Sequence, residues 1–168
     1  MDSTAIPYIK QDEIHFGFDL PVETNRHLQR AASLVSSREG VLQALSAAQA
    51  SAPDQLEVLI ARYKFHFYQG DTDKAQDLVS QTLIKSALQG GFSHEWESLL
   101  PKSADWSDPR GPERVFLYSL KALAFIRLRQ EDFADAASIL DAVKRLDPED
   151  QVGADVIRDL LRGLQEES

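Results

Sequence analysis

The residue types best suited to acid–base or metal chemistry near neutral pH are sparse in this chain. Cysteine is absent, and the four histidines lie far apart, at His15, His27, His66 and His94. No two histidines have the one-turn spacing that a zinc site on a helix requires, and no cluster of carboxylates accompanies any of them. The sequence therefore predicts no metal site, no bound cofactor and no catalytic residue.

Glycine and serine patterns indicate turns rather than catalytic or phosphate-binding loops. Gly90 and Gly91 lack the lysine and the strand-to-helix context of a phosphate-binding loop. Gly70, Asp71 and Asp73 have neither the glycine position nor the closing glutamate of a calcium loop, which indicates an acidic turn. The serines stand in no nucleophile-elbow context. We therefore predict that the chain is not an enzyme.

The charge balance argues against nucleic acid as a partner. Among 168 residues, 18 Lys and Arg stand against 27 Asp and Glu, a net charge of −9, and such a field repels phosphate backbones. The N-terminus lacks the basic start of a secretory signal. The longest apolar window, Val115 to Leu128, contains Lys121 and Arg127 and is too short to span a bilayer. We expect a cytoplasmic protein of one domain, residues 1–168, that binds neither nucleic acid nor membrane.

Apolar residues recur at helical spacing in every long stretch, which predicts an all-α fold with no sheet beyond the first twenty residues. The clearest pair of helices covers 113–130 and 133–146 and is separated by a polar turn. A second pair begins at Leu56 and turns at Gly70 and Asp71. Its second helix is predicted to have an apolar face of Ala75, Leu78, Val79, Leu83 and Ile84.

The segment after Leu146 is expected to end one helix and to start the next. Asp147 is a good capping residue, and Pro148 fits the first turn of a helix. The apolar stripe of this last helix is predicted to be Val152, Val156, Leu160 and Leu164, opposite a charged face.

Two segments lack helical periodicity. Residues 1–21 contain Pro7, Gly17 and scattered aromatic residues, which predicts an N-terminal arm. Residues 90–116 are rich in glycine and proline, and they predict an insertion loop with at most a short helix. Loops of this length are usually functional or mobile. We expect Trp96 and Trp106 in this loop to be exposed and so to offer a second candidate interface.

Residues 117–150 resemble a tetratricopeptide repeat, a helix-turn-helix unit of about 34 residues. Leu123 and Ala124 stand where the family has Leu-Gly, and Phe133 follows the turn where an aromatic residue is usual. Ala136 is the small residue of the second helix, and the segment 146–148 matches the terminal Leu-Asp-Pro. Small residues at these positions let the two helices of a hairpin approach closely.

Residues 56–89 resemble a second repeat, with Ala75 at the small position but Tyr63 at a site that is normally small. Residues 22–55 resemble a degenerate third repeat, and 151–168 would form a capping helix. The resemblance implies antiparallel helical hairpins stacked as a short α-solenoid. An irregular helical bundle with one repeat-like hairpin is the alternative.

The resemblance also implies a concave groove that binds an extended peptide or a partner helix. The family's groove positions fall here on Arg26, His27, Arg30, Ile60, Lys64, Phe67, Tyr68, Tyr118, Lys121, Phe125 and Arg129. Within this set, the predicted partner-binding residues are Arg26, Arg30, Lys64, Tyr68, Tyr118, Lys121 and Arg129. We expect their charged groups to be exposed and to bind an acidic or aromatic segment of another protein. Ala61 and Ala122 replace polar residues that the chaperone-binding members need, so binding of a chaperone tail is not predicted.

Two other functions stay open at this point. The chain is a possible homo-oligomer, a structural subunit that meets a copy of itself through Val152, Val156 and Leu160. An enzyme with a site between Trp96 and Trp106 is the remaining hypothesis, although no set of acid, base and nucleophile is recognisable there.

Overall fold

The computed structural model of the chain describes residues 22–33 and 38–167. All regular structure in these residues is helical, with seven α-helices, two single turns of 3-10 helix and no strand. This confirms the predicted all-α class for that part of the chain. The predicted N-terminal arm, 1–21, lies outside the described residues. Within the described ranges, no helix is both long enough and apolar enough to cross a membrane.

The α-helices are numbered in chain order. The first four are α1 (Val22–Ser33), α2 (Arg38–Ser51), α3 (Leu56–Tyr68) and α4 (Thr72–Gly90). The last three are α5 (Pro112–Arg129), α6 (Phe133–Leu146) and α7 (Asp155–Glu166). The 3-10 turns, Trp96–Ser98 and Pro101–Ser103, lie between α4 and α5. The chain divides into two compact units, 1–81 and 82–168, with the boundary inside α4.

The core of the first unit lies between α1, α2 and α3, each of which packs on the next. Small and branched side chains at helical spacing fill this core: Leu28, Val41, Ala44, Leu45, Ala48, Val58, Ala61 and Phe65. The alanines of α2 allow the neighbouring helices to approach closely. A hydrogen bond of 2.8 Å between the hydroxyls of Thr24 and Ser51 joins α1 to the end of α2.

Arg38, at the start of α2, links that helix to the turn after α3. Its guanidinium donates to the Asp71 carboxylate at 2.7 Å and to the Gln69 side chain at 3.1 Å, and it lies 5.7 Å from the centroid of the Phe65 ring. His66 Nδ1 is 3.2 Å from the same carboxylate. Hydrogen bonds from Arg38 and then from His66 lower the pKa of Asp71. The predicted acidic turn is therefore a structural junction between α2 and α3.

The turns that follow α3 and α5 have the same backbone hydrogen bonds. Gly70 and Glu131 occupy equivalent positions with positive φ angles of 83° and 61°. The next N–H, that of Asp71 or Asp132, donates to the carbonyl five residues earlier, at 2.8 and 2.9 Å. This is the Schellman arrangement that ends a helix and lets the chain reverse. The predicted turn positions are therefore confirmed.

Alanines follow both turns at the same distance. Ala75 and Ala136 stand four residues after Asp71 and Asp132, and both are completely buried. Ala124 of α5 is also completely buried, and α5 and α6 pack along each other. The three alanines that were predicted to be small contact residues are therefore buried.

The insertion between α4 and α5 packs on the second unit through an aromatic cluster. Trp106 is only 5% exposed. Its ring centroid lies 4.9 Å from that of Phe92 and 6.1 Å from that of Phe116, and its indole N–H donates to the Leu100 carbonyl at 3.0 Å. The expectation that Trp106 is an exposed anchor is therefore wrong. Burying the ring and pairing its N–H is more favourable than leaving both in water.

A second set of contacts holds the insertion to α6. The Arg145 guanidinium donates to the carbonyls of Leu99 and Trp96 at 3.0 and 3.3 Å. Leu99 is buried, and Trp96 is half-buried. Between Gly90 and Pro112 the only helical structure is the pair of 3-10 turns, but the predicted loop, 90–116, is too long because α5 already begins at Pro112.

The end of the chain differs from the prediction. Residues 148–154 form turns, and α7 begins at Asp155 instead of at Pro148. The Asp147 carboxylate does cap backbone groups, but they are the N–H groups of Gln151 and Val152, at 2.9 and 3.0 Å, in this loop. The later start leaves Val152 in the loop, outside the helix.

The predicted apolar stripe of the last helix lies in water at Val156 and Leu160, and the predicted apolar face of α4 is wrong at Ile84. In α7, Ile157 and Leu161 are buried, whereas Val156 is 68% and Leu160 45% exposed. In α4, Ile84 is 49% exposed, because its neighbour Leu83 occupies the buried side. Apolar runs offer more than one face, and the packing partner selects which one is buried.

Candidate protein-interaction surface

One face of α5 carries two aromatic and two basic residues in a single row. Tyr118, Lys121, Phe125 and Arg129 follow one another at spacings of three or four residues, and we call them the basic–aromatic stripe. The first three side chains are partly exposed and Arg129 is exposed. Most of the other side chains of α5 are buried, which fixes the rotation of the helix and the direction of the stripe.

Lys121 is held in the middle of the stripe. Its Nζ donates to the Val152 carbonyl at 2.8 Å and lies 4.9 Å from the centroid of the Tyr118 ring. A cation over an aromatic face is attracted by the ring quadrupole, so these two side chains stabilise one another. Lys121 was expected to be an exposed charge, and this is wrong. Its ammonium connects α5 to the loop before α7.

The loop between α6 and α7 forms one wall of this surface. Arg114, one turn before Tyr118 on α5, donates to the Gln151 side chain. Gln151 and Val152 are fixed in turn by the buried Asp147 carboxylate. Arg114 extends the stripe by one position and is not among the predicted binding residues. Its spacing of four residues from Tyr118 was the available signal.

The other predicted binding residues lie in the first unit. Arg26 and Arg30 are exposed on α1, and His27 lies 3.8 Å from Glu23. Tyr68, at the end of α3, is exposed, and its ring packs edge-on against Phe67 at 5.5 Å. A groove that unites these residues with the basic–aromatic stripe stays a prediction.

Lys64 and Ile60, also predicted to line the groove, are buried in α3. The expectation that Lys64 is an exposed charge is therefore wrong. The long alkyl stem of lysine tolerates such a position because it packs like an apolar side chain.

Glu57 is a buried acid on the same helix. It is 1% exposed, and neither carboxylate oxygen has a hydrogen-bond partner. Burial removes water from the charged form and raises the pKa of Glu57 to about 7. Sequence spacing does not predict this burial, because a glutamate in the first turn of a helix normally lies at the surface. Its position three and four residues before the buried Ile60 and Ala61 was the one signal.

No group of three or more His, Asp or Glu side chains is arranged to hold a metal ion within residues 22–33 and 38–167. The stripe itself consists of cations and aromatic rings, which do not bind metal cations. Such a surface can attract anionic or aromatic groups through charge and stacking.

Comparison with known proteins gives one informative relative. A protein of Azotobacter chroococcum (mcd 1), described as an uncharacterized 19.8 kDa protein in the nifW 5' region, is 26% identical to this chain over 152 residues. The match covers 89% of this chain and 85% of that protein. No family model and no solved structure matches the chain. The chain is therefore similar to this protein along most of both lengths.

Proposed function

We propose that the chain is a protein-interaction module that binds an acidic or aromatic segment of another protein on the basic–aromatic stripe. The observation that carries this proposal is the row of half-exposed aromatic and basic side chains on α5, with Lys121 already held in place by Tyr118 and Val152. A surface fixed before binding loses less conformational freedom when a partner arrives.

The charge of the stripe supports an acidic ligand. The chain carries a net charge of −9, yet the stripe and its extension, Arg114, present three basic and no acidic side chains. A local potential opposite to that of the whole molecule orients an approaching partner of complementary charge. Arginine and aromatic side chains are also the types that most often anchor interfaces. Arg129, which is exposed at one end of the row, is the first residue to test.

A tetratricopeptide-like arrangement of the hairpins is part of this proposal. The matching turns after α3 and α5, and the buried Ala75 and Ala136 that follow them, support it. An adaptor or chaperone-like role follows from this mode of binding, because the stripe offers charge and stacking but no catalytic group.

The test begins with a selection from a random peptide display library on the full chain. We expect the selected peptides to be enriched in Asp, Glu and aromatic residues. In fluorescence anisotropy, Arg129→Glu should weaken their binding by about tenfold, equivalent to about 1.4 kcal/mol. Added salt should weaken it further, because ions screen an electrostatic surface.

The matched control is Lys102→Glu, which makes the same charge change at an exposed residue of the insertion. This variant should bind like the parent chain. Peptides without acidic residues, or equal losses in both variants, would contradict the assignment of the stripe.

A further inference from the structure

The exposed side of α7 carries an apolar stripe that the fold of the described residues leaves in contact with water. Val156 is 68% and Leu160 45% exposed. One turn of helix separates them, so they lie about 6 Å apart along the axis. Leu164, one turn further on, is half-exposed, and Gly163 beside it has open space around its Cα. Together, Val156, Leu160 and Leu164 form what we call the α7 stripe.

The rotation of α7 is fixed by its other side. Ile157 and Leu161 are buried, and the Arg158 guanidinium donates to the Leu140 carbonyl at 2.6 Å and to Asp141 at 3.3 Å. Lys144 of α6 lies 3.4 Å from the Asp155 carboxylate. The helix cannot turn its exposed leucine toward α6 without breaking these contacts.

An acidic row runs along one side of the α7 stripe. At 100° per residue, Asp155, Asp159 and Glu166 fall within about 40° of one another around the helix. Asp159 is 71% exposed at its side chain, and Glu166 is exposed. Of the two arginines in α7, Arg158 is engaged with α6 and also lies 3.8 Å from Asp155, and Arg162 lies 3.5 Å from Asp159. Residues 155–167 contain four acids and two arginines, so the local net charge is −2.

We propose that this face of α7 docks an amphipathic helix of another protein that has an apolar row beside a row of lysines or arginines. Charge complementarity selects a basic partner. A helical partner is favoured because the backbone groups in the middle of α7 are paired within the helix and offer nothing to an extended strand. A ridge of side chains one turn apart also fits the grooves of another helix.

A second copy of the chain fits this face poorly. Each copy carries a net charge of −9. Antiparallel pairing of two α7 helices would place the acidic row of one against the acidic row of the other. Facing carboxylates repel one another and would weaken such a dimer. The other exposed apolar pair in the described residues, Ile84 and Leu88 on α4, has Lys85 beside it, and the exposed acids of that helix, Asp73 and Asp77, lie about two turns or more away toward the helix start. That pair is therefore a suitable control surface.

The test uses two synthetic helical peptides, acetylated and amidated at their ends. One has leucines at i, i+4 and i+7, a single row of lysines beside them and alanines elsewhere, and the second replaces every lysine by glutamate. We expect the Leu/Lys peptide to bind the full chain and the Leu/Glu peptide not to bind. Leu160→Gln and Val156→Gln should each weaken binding of the Leu/Lys peptide by about tenfold, as for the loss of an interface anchor.

Matched variants separate this face from general attraction to an acidic protein. Two control variants should bind like the parent chain: Leu88→Gln, at an exposed leucine on α4, and Glu97→Lys, at an exposed acid of the insertion. Asp159→Lys should bind the Leu/Lys peptide more weakly. Circular dichroism checks that each variant is folded. Arg129→Glu should leave binding of the Leu/Lys peptide intact, so a failure of this inference differs from a failure of the proposed function.

Three results would overturn the proposal. The first is equal binding of the two peptides to the parent chain. The second is unchanged binding in Leu160→Gln and Val156→Gln. The third is a dimer of the parent chain in sedimentation velocity that Leu160→Gln abolishes, because the occupant would then be a second copy.

Discussion

Charged residues on the helices of this chain play several different roles. Glu57 is buried without a hydrogen bond, Lys121 joins two elements of the second unit, and Arg129 remains exposed. Sequence spacing assigns a residue to one side of a helix, but the side chains that cover this side determine what the charge costs or contributes. Glu57 has the clearest consequence, because an unpaired buried acid makes the stability of the fold depend on pH.

Glu57→Gln should remove this pH dependence. The pKa of Glu57 rises from its ordinary 4.5 to about 7 in the folded chain. The folded state therefore favours the protonated acid. The contribution of Glu57 to the free energy of unfolding is fully present below about pH 4.5, decreases as the pH rises to about 7, and is lost above that pH. At pH 8 the variant should be more stable than the parent by up to about 3 kcal/mol.

Urea unfolding at pH 5 and pH 8 measures this effect. The two proteins should differ much less at pH 5 than at pH 8. Asp71 does not interfere in this range, because its pKa is lowered and it stays ionised. Parent and variant curves that shift in parallel between the two pH values would show that Glu57 reaches water or a partner.

At the scale of the elements, the hairpin of α5 and α6 depends on small residues at the contact between helices. Ala124 and Ala136 are completely buried, one on each helix. The turn between the helices is defined by the positive φ angle of Glu131 and the capping of the Asp135 N–H by Asp132. A larger side chain at a buried alanine would have to displace a whole helix, because protein interiors are closely packed.

Ala136→Leu should destabilise the fold by roughly 1–3 kcal/mol, because the added carbon atoms overpack this contact. Ala134→Leu is the matched control, because it is the same substitution at an exposed position of the same helix. Thermal and urea unfolding of both variants provide the measurement. If Ala136→Leu and the control had the same free energy of unfolding, α5 and α6 could move apart to accommodate the leucine without loss of stability.

At the scale of the whole molecule, strong net acidity coexists with a local basic surface. The net charge of −9 acts at long range, whereas the two cations of the stripe and Arg114 act on groups that reach α5. This difference separates a protein ligand from nucleic acid. A polyanion with uniform charge meets mainly the repulsive field, while a short acidic segment can lie against the stripe.

The chain should therefore not bind a random-sequence DNA duplex at physiological salt. Three cations can neutralise too few phosphates to offset the repulsion between the DNA and the remaining acidic surface. An electrophoretic mobility shift experiment with the parent chain and Arg129→Glu is the measurement. A shift of the duplex by the parent chain that Arg129→Glu abolishes would assign the stripe to phosphate recognition instead.

The sequence by itself determined the features that depend on neighbours along the chain. Helical spacing of apolar residues predicted the all-α class, and the helix bounds near 113–130 and 133–146 were placed to within a residue. The turns at Gly70 and at 130–132 were also predicted, because turn residues act through local backbone geometry. The row of Tyr118, Lys121, Phe125 and Arg129 on one face of α5 follows from the same periodicity.

Only the tertiary structure decided which side of each element is covered. Val156 and Ile157 are adjacent apolar residues, and the packing of α7 on α5 and α6 buries the second while leaving the first in water. In the same way, packing buried Trp106, Lys64 and Glu57, three residues whose types alone predict exposure or partial exposure. Burial depends on residues that are distant in sequence, so no local pattern contains this information.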